Sequence, residues 1–211
     1  AYNNRGLVFN SKGNQEEAIR DYTKAMELKP DYAQAYNNRG LVFNSKGNQE
    51  EAIRDYTKAI ELKPDYAQAY NNRGNVFSSK GNQEEAIRDY TKAIELKPDY
   101  AQAHNNRGLV FESKGNQEEA IRDYTKAIEL KPDYALAYYN RGIVFNSKGN
   151  QEEAIKDFTM AIGIEPQYGS KLDPIIKSLR ASLDEVAAER DEERDEERDE
   201  ERDEERDEER D

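Results

Sequence analysis

The chain carries few residues that could do covalent or redox chemistry. It has one histidine and no cysteine. A lone His104 without thiolates is a poor metal site, and it stands where neighbouring copies of the same segment hold Tyr36 and Tyr70, so it is expected to be a packing substitution. Ser11, Ser45 and Ser79 have no histidine to activate them, and each sits beside a turn rather than on a nucleophile elbow. The Gly47-Asn48-Gln49 segment lacks the residues of a phosphate loop. Acidic pairs such as Glu50-Glu51 recur in every copy at the start of a predicted helix, where they complement the helix dipole. No enzyme, cofactor or metal site is therefore expected. The side chains with chemistry to offer are amides. Asn4, Asn38, Asn72, Asn106 and Asn140 recur at one position. A row of side-chain amides supplies donors and acceptors together, which suits the backbone of an extended peptide; bonding between neighbouring repeats is the competing role.

The elements that position this row follow from self-similarity. Residues 33–66, 67–100 and 101–134 are three 34-residue copies. The first two differ only at Leu41/Asn75 and Asn44/Ser78. Residues 1–32 form the same unit without its first two positions, and 135–168 a diverged fifth copy. A fixed period of this length predicts a stacked array rather than a globular domain. In the second copy, one helix (A) is predicted over 33–46 and a second (B) over 49–62. Gly47 ends the first, and Pro64 disfavours helix at Lys63. Ala52, Ile53, Tyr56, Ala59, Ile60 and Leu62 give helix B an apolar face. Gly40, Ala52 and Ala59 are expected where helices cross closely, with Tyr36, Phe43 and Tyr56 filling the space between them.

Beyond the repeats, Leu172, Ile175, Ile176, Leu179, Leu183 and Val186 form one stripe. They predict a capping helix over 169–188, with Asp173 as N-cap and Pro174 at the first helical position. Residues 189–211 hold 17 acidic residues and 6 Arg, which places a charge of −11 there out of the chain's −13. This tail has no Pro or Gly and is expected to be helical, although at i,i+4 every charge meets its own kind. A nearly neutral body with an acidic tail argues against nucleic acid, which requires a basic face. No apolar run is long enough for a membrane span. The absence of cysteine fits a reducing compartment, so a cytoplasmic location is expected. The chain opens in mid-unit, which suggests a piece of a longer array or an end closed by another molecule.

The 34-residue period, with Tyr36, Gly40, Phe43, Ala52, Tyr56, Ala59 and Pro64 in one unit, resembles the tetratricopeptide repeat family over residues 1–168. Arg39 stands where that family usually has Leu, and Tyr36 where it usually has Trp. The resemblance implies an all-α, right-handed superhelical solenoid of antiparallel helix pairs, closed by the capping helix and extended by the acidic tail. It also implies a concave groove lined by helix A, at Gln34, Asn37, Asn38, Leu41 and Asn44 with their counterparts. The binding residues expected on this basis are Asn4, Asn38, Asn72, Asn106, Asn140, Asn37, Asn71, Asn105, Leu41, Asn75, Leu109, Ile143 and Tyr139. The recurring Asn is similar to the asparagine ladder of O-linked N-acetylglucosamine transferases. The dicarboxylate clamp that captures acidic chaperone tails needs Lys and Arg on helix A. The matching positions here hold Asn37, Asn71, Asn105, Gln68 and Gln102. The Arg row (Arg5, Arg39, Arg73, Arg107, Arg141) would favour an acidic peptide if it reached the groove rim.

The expected function is a non-enzymatic scaffold for a protein or peptide partner. The alternative is a self-assembling module, a homo-oligomer formed through the N-terminal repeat or by the acidic tail of one copy in the groove of another. A consensus-like engineered array also fits such near-identity between copies.

Overall fold

The computed structural model describes residues 1–208, apart from the side chains of residue 193, residues 195–197 and residues 199–208. All of the regular structure among them is helical. The α-helices are α1 (Tyr2–Ser11), α2 (Gln15–Leu28), α3 (Ala33–Ser45), α4 (Gln49–Leu62), α5 (Ala67–Ser79), α6 (Gln83–Leu96), α7 (Ala101–Ser113), α8 (Gln117–Leu130), α9 (Ala135–Ser147), α10 (Gln151–Ile164) and α11 (Gly169–Glu208). A short 3-10 turn, Pro166–Tyr168, precedes α11. The odd-numbered helices up to α9 are the predicted A helices, and the even-numbered ones the B helices. The chain forms two compact units, one spanning Ala1–Pro132 and one beginning at Asp133.

Each A–B connection is a Schellman turn. Gly47 has φ 80, Asn48 N–H donates to the Phe43 carbonyl at 2.9 Å, and Gly47 N–H donates to that of Asn44 at 2.9 Å. Lys63, held extended by the following proline, ends α4 with φ −142 and ψ 86. Within α4 the stripe Ala52, Tyr56, Ala59 has no exposed surface. The A and B helices of a pair cross where Gly40 meets Tyr56. A Cβ built on Gly40 would lie 2.8 Å from Cε1 of the Tyr56 ring. The invariant glycine of helix A and the aromatic of helix B therefore form one packing device, repeated as Gly6/Tyr22, Gly74/Tyr90 and Gly108/Tyr124.

Within the first unit α2, α4 and α6 each pack against the A helices on either side of them. Successive A helices also touch (α1–α3, α3–α5, α5–α7), whereas successive B helices do not. The A helices therefore line the tighter, inner side of this unit.

In the second unit, α11 packs on α10. Leu172 and Ile176 are buried against Ala154, Phe158 and Ala161, with Ile175 and Leu179 half-buried beside them. Val186 is exposed, while Lys177, Arg180 and Asp184 face water. Gln151 Nε2 donates to Ser182 Oγ at 3.4 Å. The equivalent Gln15, Gln49 and Gln83 donate to a Ser on the following A helix, so α11 takes the place of a sixth A helix on α10. The helix starts four residues before the expected N-cap at Asp173, and Pro174 lies inside it. The 3-10 turn winds straight into α11, bringing Leu172 onto the cluster. Near a helix start, Pro174 removes only one backbone bond. The helix then runs unbroken through the acidic segment to Glu208; residues 209–211 of the expected tail lie outside the described residues. No helix among the described residues is long and apolar enough to cross a membrane.

Candidate peptide-binding face

The Asn positions divide by burial. Asn37, Asn71 and Asn105 are buried, as is Asn3 at the equivalent place. Asn38 and Asn106 are half-buried, Asn72 is buried and Asn4 is exposed. The two rows bond to each other across repeats: Asn38 Nδ2 donates to Asn3 Oδ1 at 3.1 Å, Asn72 Nδ2 to Asn37 Oδ1 at 3.0 Å, and Asn106 Nδ2 to Asn71 Oδ1 at 3.2 Å. The ladder is thus first a seam between repeats. At Asn38 this engages one donor and leaves an N–H and the carbonyl oxygen. Asn140, in the second unit, is buried.

Further polar bonds complete each junction of the first unit. Gln49 Nε2 donates to Ser79 Oγ at 3.0 Å, and Lys80 pairs with Glu50. Arg39 links two repeats: Nε and Nη2 fork onto both oxygens of Asp55 at 2.8 Å, while Nη1 reaches Thr23 Oγ1 of the preceding repeat at 3.0 Å. Arg73 and Arg107 repeat this with Asp89 and Thr57, and with Asp123 and Thr91. Arg5 and Arg141 fork onto Asp21 and Asp157. Arg39, Arg73 and Arg107 therefore belong to the framework, whereas the paired Arg5 side chain stays 59% exposed. His104 is buried with Nδ1 3.2 Å from Asp123 Oδ1, on the carboxylate that Arg107 holds. Burial opposes ionisation of Asp123, but the Arg107 and His104 hydrogen bonds outweigh it and hold the carboxyl below its usual range.

Leu41 and Leu109 are 37% and 41% exposed, and Leu7 is exposed as well. They lie one helical turn from Asn38, Asn106 and Asn4, on the same face of the A helices. Asn75 holds the equivalent place in repeat three and is exposed. Its Oδ1 accepts from Tyr90 Oη at 2.8 Å and from Asn106 Nδ2 at 2.9 Å, which leaves its N–H groups outward. In the second unit Tyr139 and Ile143 are half-buried and pack on the cluster that α11 closes. Tyr139 stacks on Tyr168 at 5.3 Å between ring centroids, with Lys171 Nζ 4.6 Å from the Tyr139 centroid and donating to its hydroxyl. These two residues line the cap.

The partners of the Arg row were not foreseen from the sequence. The signal was present: an Asp follows each Arg by 16 residues in all five copies.

The description "TPR repeat" fits residues 6–47, 40–81, 74–115 and 111–149, and "Tetratricopeptide repeat" fits 135–168. The chain belongs to the tetratricopeptide repeat family. Members of this family are generally scaffolds that bind protein partners or peptides, without enzymatic activity of their own. No curated protein matches the chain by sequence. Among solved structures, MamA is 30% identical with a TM-score of 0.69, over 78% of this chain and 96% of that one. YrrB, described as a TPR protein with an unusual peptide-binding site, is 28% identical with a TM-score of 0.63, over 78% and 85% of the two chains. The Pseudomonas aeruginosa protein PilF is 20% identical with a TM-score of 0.73 over 86% of each chain; this likeness concerns the fold alone.

Proposed function

We propose that residues 1–132 hold an extended polypeptide segment along the exposed face of their A helices. The observation that carries this reading is the row of exposed Leu7, Leu41 and Leu109 beside amides that keep free hydrogen-bonding groups. Apolar side chains of a ligand cover the leucines. Its backbone pairs with the remaining sites of Asn38, the outward N–H groups of Asn75 and the carbonyl oxygen of Asn106, whose two N–H groups are already engaged. The rigid framework beneath, fixed by the Arg–Asp forks, lowers the ordering cost of binding. YrrB, with its described peptide-binding site, supports the same use here. Self-assembly by end-to-end stacking is disfavoured, because α11 already occupies the place of the next A helix on α10.

The test is selection of binders from a displayed random-peptide library, followed by titration of each binder against the protein and against a Leu41→Asp/Leu109→Asp double variant. Both positions are exposed, so helicity and melting should hold while affinity drops by at least about tenfold, as expected for burying a charge beneath a ligand side chain. Undiminished binding to the double variant would show that the ligand lies elsewhere. A monomer mass that stays constant across concentration, measured by light scattering, is expected alongside.

A further inference from the structure

The helix-A face of residues 1–132 is chemically uneven. At two of the three helix-A positions that vary, the repeats present, in order, Leu7 and Asn10, Leu41 and Asn44, Asn75 and Ser78, and Leu109 and Glu112. Behind each pair lies the buried helix-B tyrosine of the same repeat. Among the described residues, the hydroxyls of Tyr22 and Tyr56 are buried without a hydrogen-bond partner, while that of Tyr90 is held by Asn75. Tyr124 Oη donates to Glu112 Oε2 at 2.6 Å. Burial, and then this bond to a carboxylate, push the Tyr124 pKa up, so the hydroxyl stays a donor at every physiological pH. One oxygen of Glu112 is thereby fixed, and the half-buried side chain keeps Oε1 for a partner.

Among the described residues, Glu112 forms no ion pair. Arg39, Arg73 and Arg107 are forked onto Asp55, Asp89 and Asp123, and Lys46, Lys80 and Lys114 pair with Glu16, Glu50 and Glu84. Exposed Leu109 lies three residues before Glu112, on the same side of α7. A hydrocarbon patch next to an anchored carboxylate matches one kind of side chain: a long aliphatic stem ending in a cation. We infer that Leu109 and Glu112 form a subsite for a lysine or arginine of the bound polypeptide, with Glu112 as the residue that selects it. This rests on the reading of the face as a peptide-binding surface. The partner is then an apolar segment with a basic residue. Acidic segments are disfavoured, among them this chain's own residues 189–211 with their charge of −11.

Random dodecapeptides displayed on phage are selected in parallel on the full chain and on its Glu112→Gln variant. Gln keeps an oxygen for the Tyr124 hydroxyl, so the fold is retained. The full chain should enrich peptides with Lys or Arg at one fixed place. Glu112→Gln should bind these about three- to tenfold more weakly, as expected for loss of one charge-assisted contact. The difference should shrink as salt is added. Enriched peptides without a fixed basic residue, or with equal affinity for both proteins, overturn the subsite and leave the binding face standing. Peptides indifferent to Leu41→Asp/Leu109→Asp, or a selection that enriches nothing, overturn the face and the subsite together.

Discussion

Replacing Arg73 by the leucine usual in this family should destabilise the protein. The Arg73 side chain is 18% exposed and its partner Asp89 is 8% exposed. Two bonds of 2.8 and 2.9 Å join them, and a third of 3.0 Å ties the guanidinium to Thr57 in the preceding repeat. In Arg73→Leu the Asp89 carboxylate keeps its burial and loses its countercharge. Breaking a buried pair from one side costs about 3–5 kcal/mol. Additional apolar burial by Leu recovers about 1 kcal/mol. The expected loss is therefore about 2–4 kcal/mol. The double variant Arg73→Leu/Asp89→Leu removes both charges and should return to within about 1 kcal/mol of the parent, because a buried pair replaced by packed apolar groups is often neutral. Urea unfolding followed by helical circular dichroism gives the totals. Native-state amide exchange in α5 and α6 locates the loss, which matters because repeat arrays open unit by unit. A single variant as stable as the parent, or a double variant no better than the single, would refute the account of the fork as a mutually dependent pair.

Three further outcomes follow from the same geometry. Tyr124→Phe should cost about 1–2 kcal/mol, because it removes the donor to Glu112, whereas Tyr56→Phe should be neutral or slightly stabilising, because it removes a buried hydroxyl with no partner; thermal melts that rank the two the other way would contradict this, and Phe158 already fills the equivalent place in repeat five. Gly74→Ala should cost about 1–3 kcal/mol, since its Cβ would fall 2.8 Å from the Tyr90 ring, while Gly81→Ala meets nothing within 4 Å and should lose about 1 kcal/mol to its φ of 79 alone; equal melting points for the two would defeat the distinction between crowding and backbone strain. The carboxyl of Asp123, held below its usual range when folded, adds stability that is present above the unfolded value of about 3.9 and is lost as pH falls through the folded value; Asp123→Asn should flatten the acid limb of a stability–pH curve, and an unchanged limb would show that other carboxylates set it.

The helix boundaries were legible because local signals agree. Gly47 and its counterparts stop each A helix, Pro64 and its counterparts stop each B helix, and the apolar spacing of Ala52, Tyr56 and Ala59 fixes the buried face. The start of α11 was less legible. Asp173-Pro174 has the local chemistry of a helix N-terminus, yet Leu172 is fully buried on the last pair and the helix begins ahead of it. Tertiary burial decided there against capping preference. Tyr139 and Ile143 illustrate the same limit. Ile143 is equivalent to exposed Leu41 and Leu109 and Tyr139 to buried Asn37, Asn71 and Asn105, but the cap has no counterpart elsewhere in the array, and it draws both into its own cluster.

The Asn and Arg rows show why a recurring polar residue is ambiguous in a repeat. Recurrence at one position is what a ligand ladder requires, and it is equally what a seam between identical neighbours requires. Sequence alone gives the period and not the neighbour across the junction. The partner's own recurrence resolves part of the ambiguity. Arg39 and Asp55 repeat together at a spacing of 16, as do Gln49 and Ser79 at a spacing of 30, which is the signature of an internal bond. Ligand contacts carry no such constraint. Positions 41, 75 and 109, and 44, 78 and 112, vary between otherwise near-identical copies. They are also where the face turns outward and where Tyr90 and Tyr124 gain acceptors that Tyr56 lacks. In an array this uniform the framework is written in what stays constant, and the candidate specificity in the few places where it changes.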